Sequence, residues 1–223
     1  MARVSVLLAS FNQPRYLPGA IQSVLDQTYT DWQLTVLDNG STEPEVRAIL
    51  GDAARDERVR VYRFNPSDAE RAAAVGYAVL FNWGVANTDS ELICYLCDDD
   101  LYTPDRLERM VNEIDRGHQV VYGAQDLIGE NDEFLHMRPA DHVIEDAYHI
   151  VDLNSVMQTR DSFMAAGGLP TDSRMWADAD AHLFLQLQAH GHRFWPVPGP
   201  PTDRKRMRDD SVSSRIQRGE ALW

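Results

Sequence analysis

Apolar residues fall along the first half of this chain in short runs, separated by stretches where they recur every three or four positions. Val4-Ser5-Val6-Leu7-Leu8-Ala9 is almost continuously apolar, as expected of a strand buried on both faces, and it ends at Ser10-Phe11-Asn12. Leu17, Ile21, Val24 and Leu25 then share one helical face. Gln33–Leu37 reads as a second strand closing at Asp38-Asn39-Gly40-Ser41, and Thr42-Glu43-Pro44-Glu45 has the form of a capping box opening a helix. Arg58–Phe64 predicts a third strand, and Ala72–Val85 one helix with Val75, Val79, Leu80 and Trp83 inward. Leu92–Leu96 is another apolar strand, followed by a helix over Pro104–Arg116 with the stripe Leu107, Met110, Val111 and Ile114. Strands alternating with helices indicate an α/β fold with a mostly parallel central sheet flanked by helices.

The second half is less regular. His118–Tyr122 and Asp141–Val151 read as strands, Gly167-Gly168-Leu169-Pro170 as a turn, and Ala179–Ala189 as a helix stopped by Gly191. No internal repeat or long linker divides the chain, so residues 1–223 are expected to form a single domain.

Composition narrows the function classes. A net charge of −14 disfavours stable binding to nucleic acids or anionic membranes. Met1-Ala2-Arg3 leads straight into a strand without a signal-peptide pattern, and no apolar run is long enough to span a bilayer, so a cytoplasmic location is expected. Cys94 and Cys97 lie three apart on a strand, hence on opposite faces, and read as buried thiols. One basic island, Arg204-Lys205-Arg206-Met207-Arg208, stands out as either a solvated surface or an anion clamp.

The densest chemistry is Asp98-Asp99-Asp100, at the carboxyl end of a strand, where open α/β sheets bind ligands. Adjacent carboxylates oppose one another's ionisation unless a cation compensates them. Oxygen ligands suit Mg²⁺ or Mn²⁺, commonly shared with a substrate phosphate. The segment Asp98–Glu108 lacks the glycine of an EF-hand loop. No G-x-G-x-x-G, P-loop or G-x-S-x-G motif occurs.

The chain resembles the GT-A glycosyltransferases of family 2. The likeness rests on the strand Val4–Ala9 with Ser10-Phe11-Asn12, on Ser23–Tyr29, Asp38–Ser41, Asn82-Trp83-Gly84 and Asp98–Asp100, extending through Tyr102–Leu107 and Asn154–Met157 and loosely to Asp210-Ser211. The resemblance implies a GT-A fold and an inverting hexosyl transfer from a UDP- or dTDP-sugar donor to an unknown acceptor, a carbohydrate or small molecule. Residues 1–100 would form the nucleotide-sugar half and 101–223 the acceptor half. It implies nucleotide contacts from Ala9, Phe11, Asp38, Asn39, Arg71 and Asp98, and a Mn²⁺ or Mg²⁺ on Asp99 or Asp100. Asp180 matches the catalytic base and Asp152 an acceptor-side acid.

Several residues add to this reading on their own chemistry. Asp178 and Asp180 open the helix before Gly191, where the dipole favours an ionised carboxylate; Asp178 is assigned to the cap and Asp180 to the chemistry. His182 is a rival base, Trp176 the better acceptor-stacking residue, and Trp195 a packing residue. Arg206 and Arg208 are candidate phosphate contacts, Arg208 standing where some relatives carry a metal-binding histidine. Asn39, in place of a usual aspartate, can still offer its amide to a pyrimidine edge. Two other readings stay open: a non-catalytic sugar-nucleotide-binding protein, and a sugar nucleotidyltransferase, for which the loop Ser10–Pro14 lacks the glycine-rich form.

Overall fold

A computed structural model describes residues 2–147, 150–209, 211 and 218; Asp210 lies outside them. Its elements are β1 (Val4–Ser10), α1 (Leu17–Leu25), β2 (Trp32–Asp38), α2 (Pro44–Ala53), β3 (Val59–Arg63), α3 (Asp68–Ala73), α4 (Gly76–Ala86) and β4 (Leu92–Cys97). There follow β5 (Leu101–Tyr102), α5 (Arg106–Asp115), β6 (Val120–Tyr122), β7 (Gln125–Ile128), β8 (Phe134–Arg138), β9 (Val156–Thr159), α6 (Arg160–Ala165), α7 (Ala179–Ala189), β10 (Trp195–Pro196) and β11 (Asp203–Arg206).

Seven strands make the central sheet in the order β10-β6-β9-β4-β1-β2-β3. β1 pairs in parallel with β2 and β4, and only β9 runs against its neighbours. Alternate residues of β1 serve opposite cores. Val4, Val6 and Leu8 pack with α1, α2 and α5, whereas Leu7 and Ala9 pack with α4 and α7. Gly84 of α4 has a packing reason: a Cβ there would lie 2.9 Å from the Leu7 side chain. A second sheet, β5-β11-β7-β8, stands beside the carboxyl end of β4.

The expected helix Ala72–Val85 is two helices. Ala74 and Val75 are extended, because Ala74 bridges Asp172 and the Val75 N–H donates to the Thr171 carbonyl at 2.8 Å. The expected capping box at Thr42 is also absent. Glu43 is the N-cap with no side-chain bond, and Asn12 Oδ1 instead accepts the Thr42 and Glu43 N–H groups. No described residue of Asp141–Val151 belongs to a strand; Ile144 makes one isolated bridge to Phe194. Its buried residues Ile144, Ala147 and Val151 are three and four apart, so the segment docks at points instead of alternating faces. Tyr148 and His149 within it lie outside the described residues. The basic island, by contrast, is largely the strand β11.

Candidate active site

A cleft of about 540 Å³ opens at the carboxyl ends of β1, β2 and β4. The twist and parallel pairing of these strands bring Ala9, Asn39 and the Asp98–Asp100 segment to one rim, as a doubly wound sheet requires. From the other side come Asp152 and Asn154, just before β9, then Trp176 and Asp180. β11 and its continuation close the cleft with Lys205, Arg206 and Arg208.

The proposed base-binding residues are brought together. The Arg71 guanidinium lies 4.6 Å over the Phe11 ring and donates to the Asn39 carbonyl. Phe11 and Asn39 line the cleft, while Arg71 stands behind them. Gly76 opens α4 against this group, where a Cβ would meet the Asn39 amide at 3.0 Å. Asp38 is different. Its carboxylate is fully buried, accepts from Arg63 Nε at 2.7 Å and from the Ser41 hydroxyl at 2.5 Å, and does not line the cleft.

The three consecutive acids have distinct surroundings. Asp98 Oδ2 accepts the Phe11 N–H at 2.8 Å; burial, then the neighbouring Asp99 charge, push its pKa upward. Asp99 pairs with Arg208 at 3.1 Å. Asp100 is 2 % exposed and has both oxygens engaged, one by the Arg206 N–H at 2.7 Å and the other by the Asn154 amide. Burial again raises its pKa, against the pull of Lys205 at 3.8 Å.

Arg206 is wholly committed to the fold. It donates to the carbonyls of Asp99, Gly129 and Glu130 and pairs with Asp132 at 2.8 Å, its guanidinium lying over the Tyr16 ring. Lys205 sits 2.8 Å from Asp152. Burial pushes Asp152 up, but Lys205, Arg138 and the Asn154 N–H together hold it below the usual carboxylate range. Lys205 and Asn154 went unassigned from sequence. Nothing in the uniformly charged run Asp203–Arg206 separates Lys205 from its neighbours; the pairing of β11 with β7 places it.

This is a poor donor set for a divalent ion. Asp100 has both oxygens bonded, Asp98 has Oδ2 taken by the Phe11 N–H, and Asp99 Oδ2 faces the Arg208 guanidinium. Among the described residues no three His, Cys, Asp or Glu side chains converge to hold a metal.

On the opposite wall, Asp180 lies in the first turn of α7. The helix dipole was expected to keep it readily ionised. Instead burial, and secondarily Asp152, raise its pKa to about 6, against the Ala181 N–H and Lys205. It remains mostly ionised at neutral pH. Asp178 is the N-cap residue by position, but it makes no side-chain capping bond and does not line the cleft. His182 does not line it either. Trp176 does, edge-on to Tyr77 with centroids 5.8 Å apart, whereas Trp195 stacks on His118 at 4.0 Å. Cys97 faces the cleft and Cys94 the core.

Among the described residues, no helix is long and apolar enough to cross a membrane. Residues 5–170 match the family described as Glycosyl transferase family 2. Protein CgeD of Bacillus subtilis is 33% identical over 196 residues, which is 83% of this chain and 46% of that protein. An uncharacterized glycosyltransferase of Nostoc, alr2836, is 31% identical over 60% of this chain and 39% of its own length. The chain thus spans less than half the length of these relatives. Among solved structures, S. aureus TarS 1-349 in complex with UDP superposes with a TM-score of 0.73 at 11% identity, over 93% of this chain and 61% of that one. The same TarS segment in complex with UDP-GlcNAc gives 0.71 at 12% identity, over 95% and 60%. The fold is GT-A, and the chain belongs to glycosyl transferase family 2.

Proposed function

We propose that this chain catalyses inverting transfer of a sugar from a uridine or thymidine diphosphate donor to an acceptor hydroxyl. The observation that carries the reading is the two-walled cleft. A ring, an amide and a strand-end acid (Phe11, Asn39, Asp98) stand on one wall, and a half-buried carboxylate of raised pKa, Asp180, on the other. The pyrimidine would stack on Phe11 with its polar edge toward Asn39, and its ribose would lie near Asp98. Asp38 would shape the site from behind through Arg63 and Ser41. The TarS complexes with UDP and UDP-GlcNAc favour uridine over thymidine and make UDP-GlcNAc the first donor to assay.

In the transfer step the acceptor oxygen bonds to the anomeric carbon as the bond from that carbon to the diphosphate oxygen breaks. The acceptor proton passes to Asp180, and the nucleoside diphosphate leaves with the bonding electrons. A carboxyl titrating near 6 is well matched to this task, being ionised at neutral pH yet more basic than an exposed aspartate. Trp176, beside Asp180 and braced by Tyr77, supplies a ring face for the acceptor, with Asp152 alongside.

The test is release of UDP from a panel of UDP-sugars, with water or saccharides as acceptor. Turnover by the native chain that Asp180→Asn abolishes, with donor affinity retained, supports the reading. Donor binding without any turnover would assign the chain to the non-catalytic binding class. Incorporation of a nucleoside triphosphate into a sugar nucleotide would assign it to the nucleotidyltransferases.

A further inference from the structure

Three adjacent acids require compensating positive charge, which is why the sequence suggested a metal. The chain supplies that charge itself. β11 and the residues after it lay two cations on the acids at the end of β4, Lys205 beside Asp100 and Asp152 and Arg208 onto the Asp99 carboxylate, while Arg206 adds its backbone N–H to Asp100 and its guanidinium to the Asp99 carbonyl. We infer that Arg208 stands in for the divalent cation at Asp99, so that this chain binds its donor's diphosphate through a guanidinium and without a metal ion. The inference rests on the nucleotide-sugar reading of the cleft.

Geometry makes the two cations alternatives. A divalent ion sits about 2.0–2.6 Å from a carboxylate oxygen. Asp99 Oδ2 already has the Arg208 nitrogen at 3.1 Å, so an ion on that oxygen would lie against the guanidinium. The neighbouring acids are partly or wholly engaged: Asp100 has both oxygens bonded and Asp98 has Oδ2 held by the Phe11 N–H, and among the described residues no three acid, thiol or imidazole side chains converge to hold an ion. Arg208 is also positioned in advance. It is 8 % exposed, lines the cleft, and lies 5.5 Å from the centre of the Tyr16 ring. A planar guanidinium presents several donors at once and suits two phosphate oxygens together. Arg206 cannot share this task, because its own donors are fixed on loop carbonyls and Asp132.

Calorimetric titration of UDP into the native chain tests this, once with EDTA and once with Mn²⁺. The two dissociation constants are expected to agree within about threefold. Arg208→Ala should weaken binding in EDTA by about 10- to 100-fold, the worth of a charge-assisted hydrogen bond, and should regain part of it with Mn²⁺ because Asp99 is uncovered. Mn²⁺ electron paramagnetic resonance without nucleotide gives a readout free of any UDP effect: no tight binding to the native chain, and binding to Arg208→Ala or Arg208→His. Arg208→Lys, which keeps the charge, should retain more EDTA affinity than Arg208→Ala if both remain folded by circular dichroism. UDP binding by the native chain only with Mn²⁺ overturns the inference and leaves the nucleotide-sugar reading standing. Absence of UDP and dTDP binding under both conditions overturns both.

Discussion

As the proposed base, Asp180 would serve function against stability. Its pKa is raised in the folded chain from 3.8 to about 6, so folding disfavours the ionised form. The stabilising influence of the neutral form is complete below pH about 4 and is lost as pH rises through about 6. Asp180→Asn should therefore stabilise the chain at pH 7–8 by up to about 3 kcal/mol, and not at all near pH 4, while turnover falls. Denaturant midpoints at the two pH values measure the first effect. For the native chain, turnover should decline on the acid side with a midpoint near 6, since the protonated carboxyl cannot accept the acceptor's proton. Asp178→Asn should be mild on both counts, because its side chain neither caps α7 nor lines the cleft. Phe11→Ala should weaken UDP binding by about 1–3 kcal/mol, the worth of one base–aromatic stack, as read by calorimetry.

At the level of elements, α5 and β11 are joined by a buried ion pair. Arg106 is fully buried, donates to Asp203 at 2.7 Å, to the Thr202 hydroxyl and to the Asn154 carbonyl, and lies over the Tyr102 ring. Arg106→Met leaves the Asp203 carboxylate buried without its cation and should destabilise by about 3–5 kcal/mol in thermal or denaturant unfolding. It should also loosen the cleft, because the same contacts set Lys205 and Asn154. None of this linkage was legible in the sequence, because Asn154, Thr202 and Asp203 all lie far along the chain from Arg106. The strands β1 and β4 were legible because burial on both faces left them nearly continuous apolar runs, and β2 because Gln33 and Thr35 alternate with Trp32, Leu34 and Val36. The second sheet was not. Phe134–Arg138 is mostly exposed and Asp203–Arg206 is charged throughout, so neither carries an apolar period; tertiary pairing alone makes them strands. The break in the Ala72–Val85 helix had the same origin, a long-range bridge from Ala74 to Asp172 that no local propensity encodes. For the site, the types of residue at strand ends were readable. The ion-pair and amide partners Arg63 of Asp38, Asn154 of Asp100 and Asp132 of Arg206 were not, since each comes from far along the chain.

For the whole molecule, stability and ligand binding are linked. A nucleotide sugar held only by the folded chain, supplied at about a hundred times its dissociation constant, adds about 2.7 kcal/mol. For a chain of this size that corresponds to a rise of about 5–10 °C in Tm. A thermal-shift screen of UDP- and dTDP-sugars should therefore rank donors directly, and equal shifts for the two bases would argue against discrimination at Asn39.

The direction of β9 bears on what can be built onto this chain. Because it runs against β4 and β6, it brings the residues before it, Asp152 and Asn154, to the rim where parallel strands bring the residues after them. Functional groups from both kinds of connection thus crowd one rim. At the opposite rim, turns such as Ala54–Arg58 and Asn87–Glu91 do not line the cleft. That far side is free to be lengthened. A short reporter peptide inserted between Asn87 and Thr88 should leave UDP affinity unchanged, whereas the same insertion between Asp152 and Leu153 should abolish it.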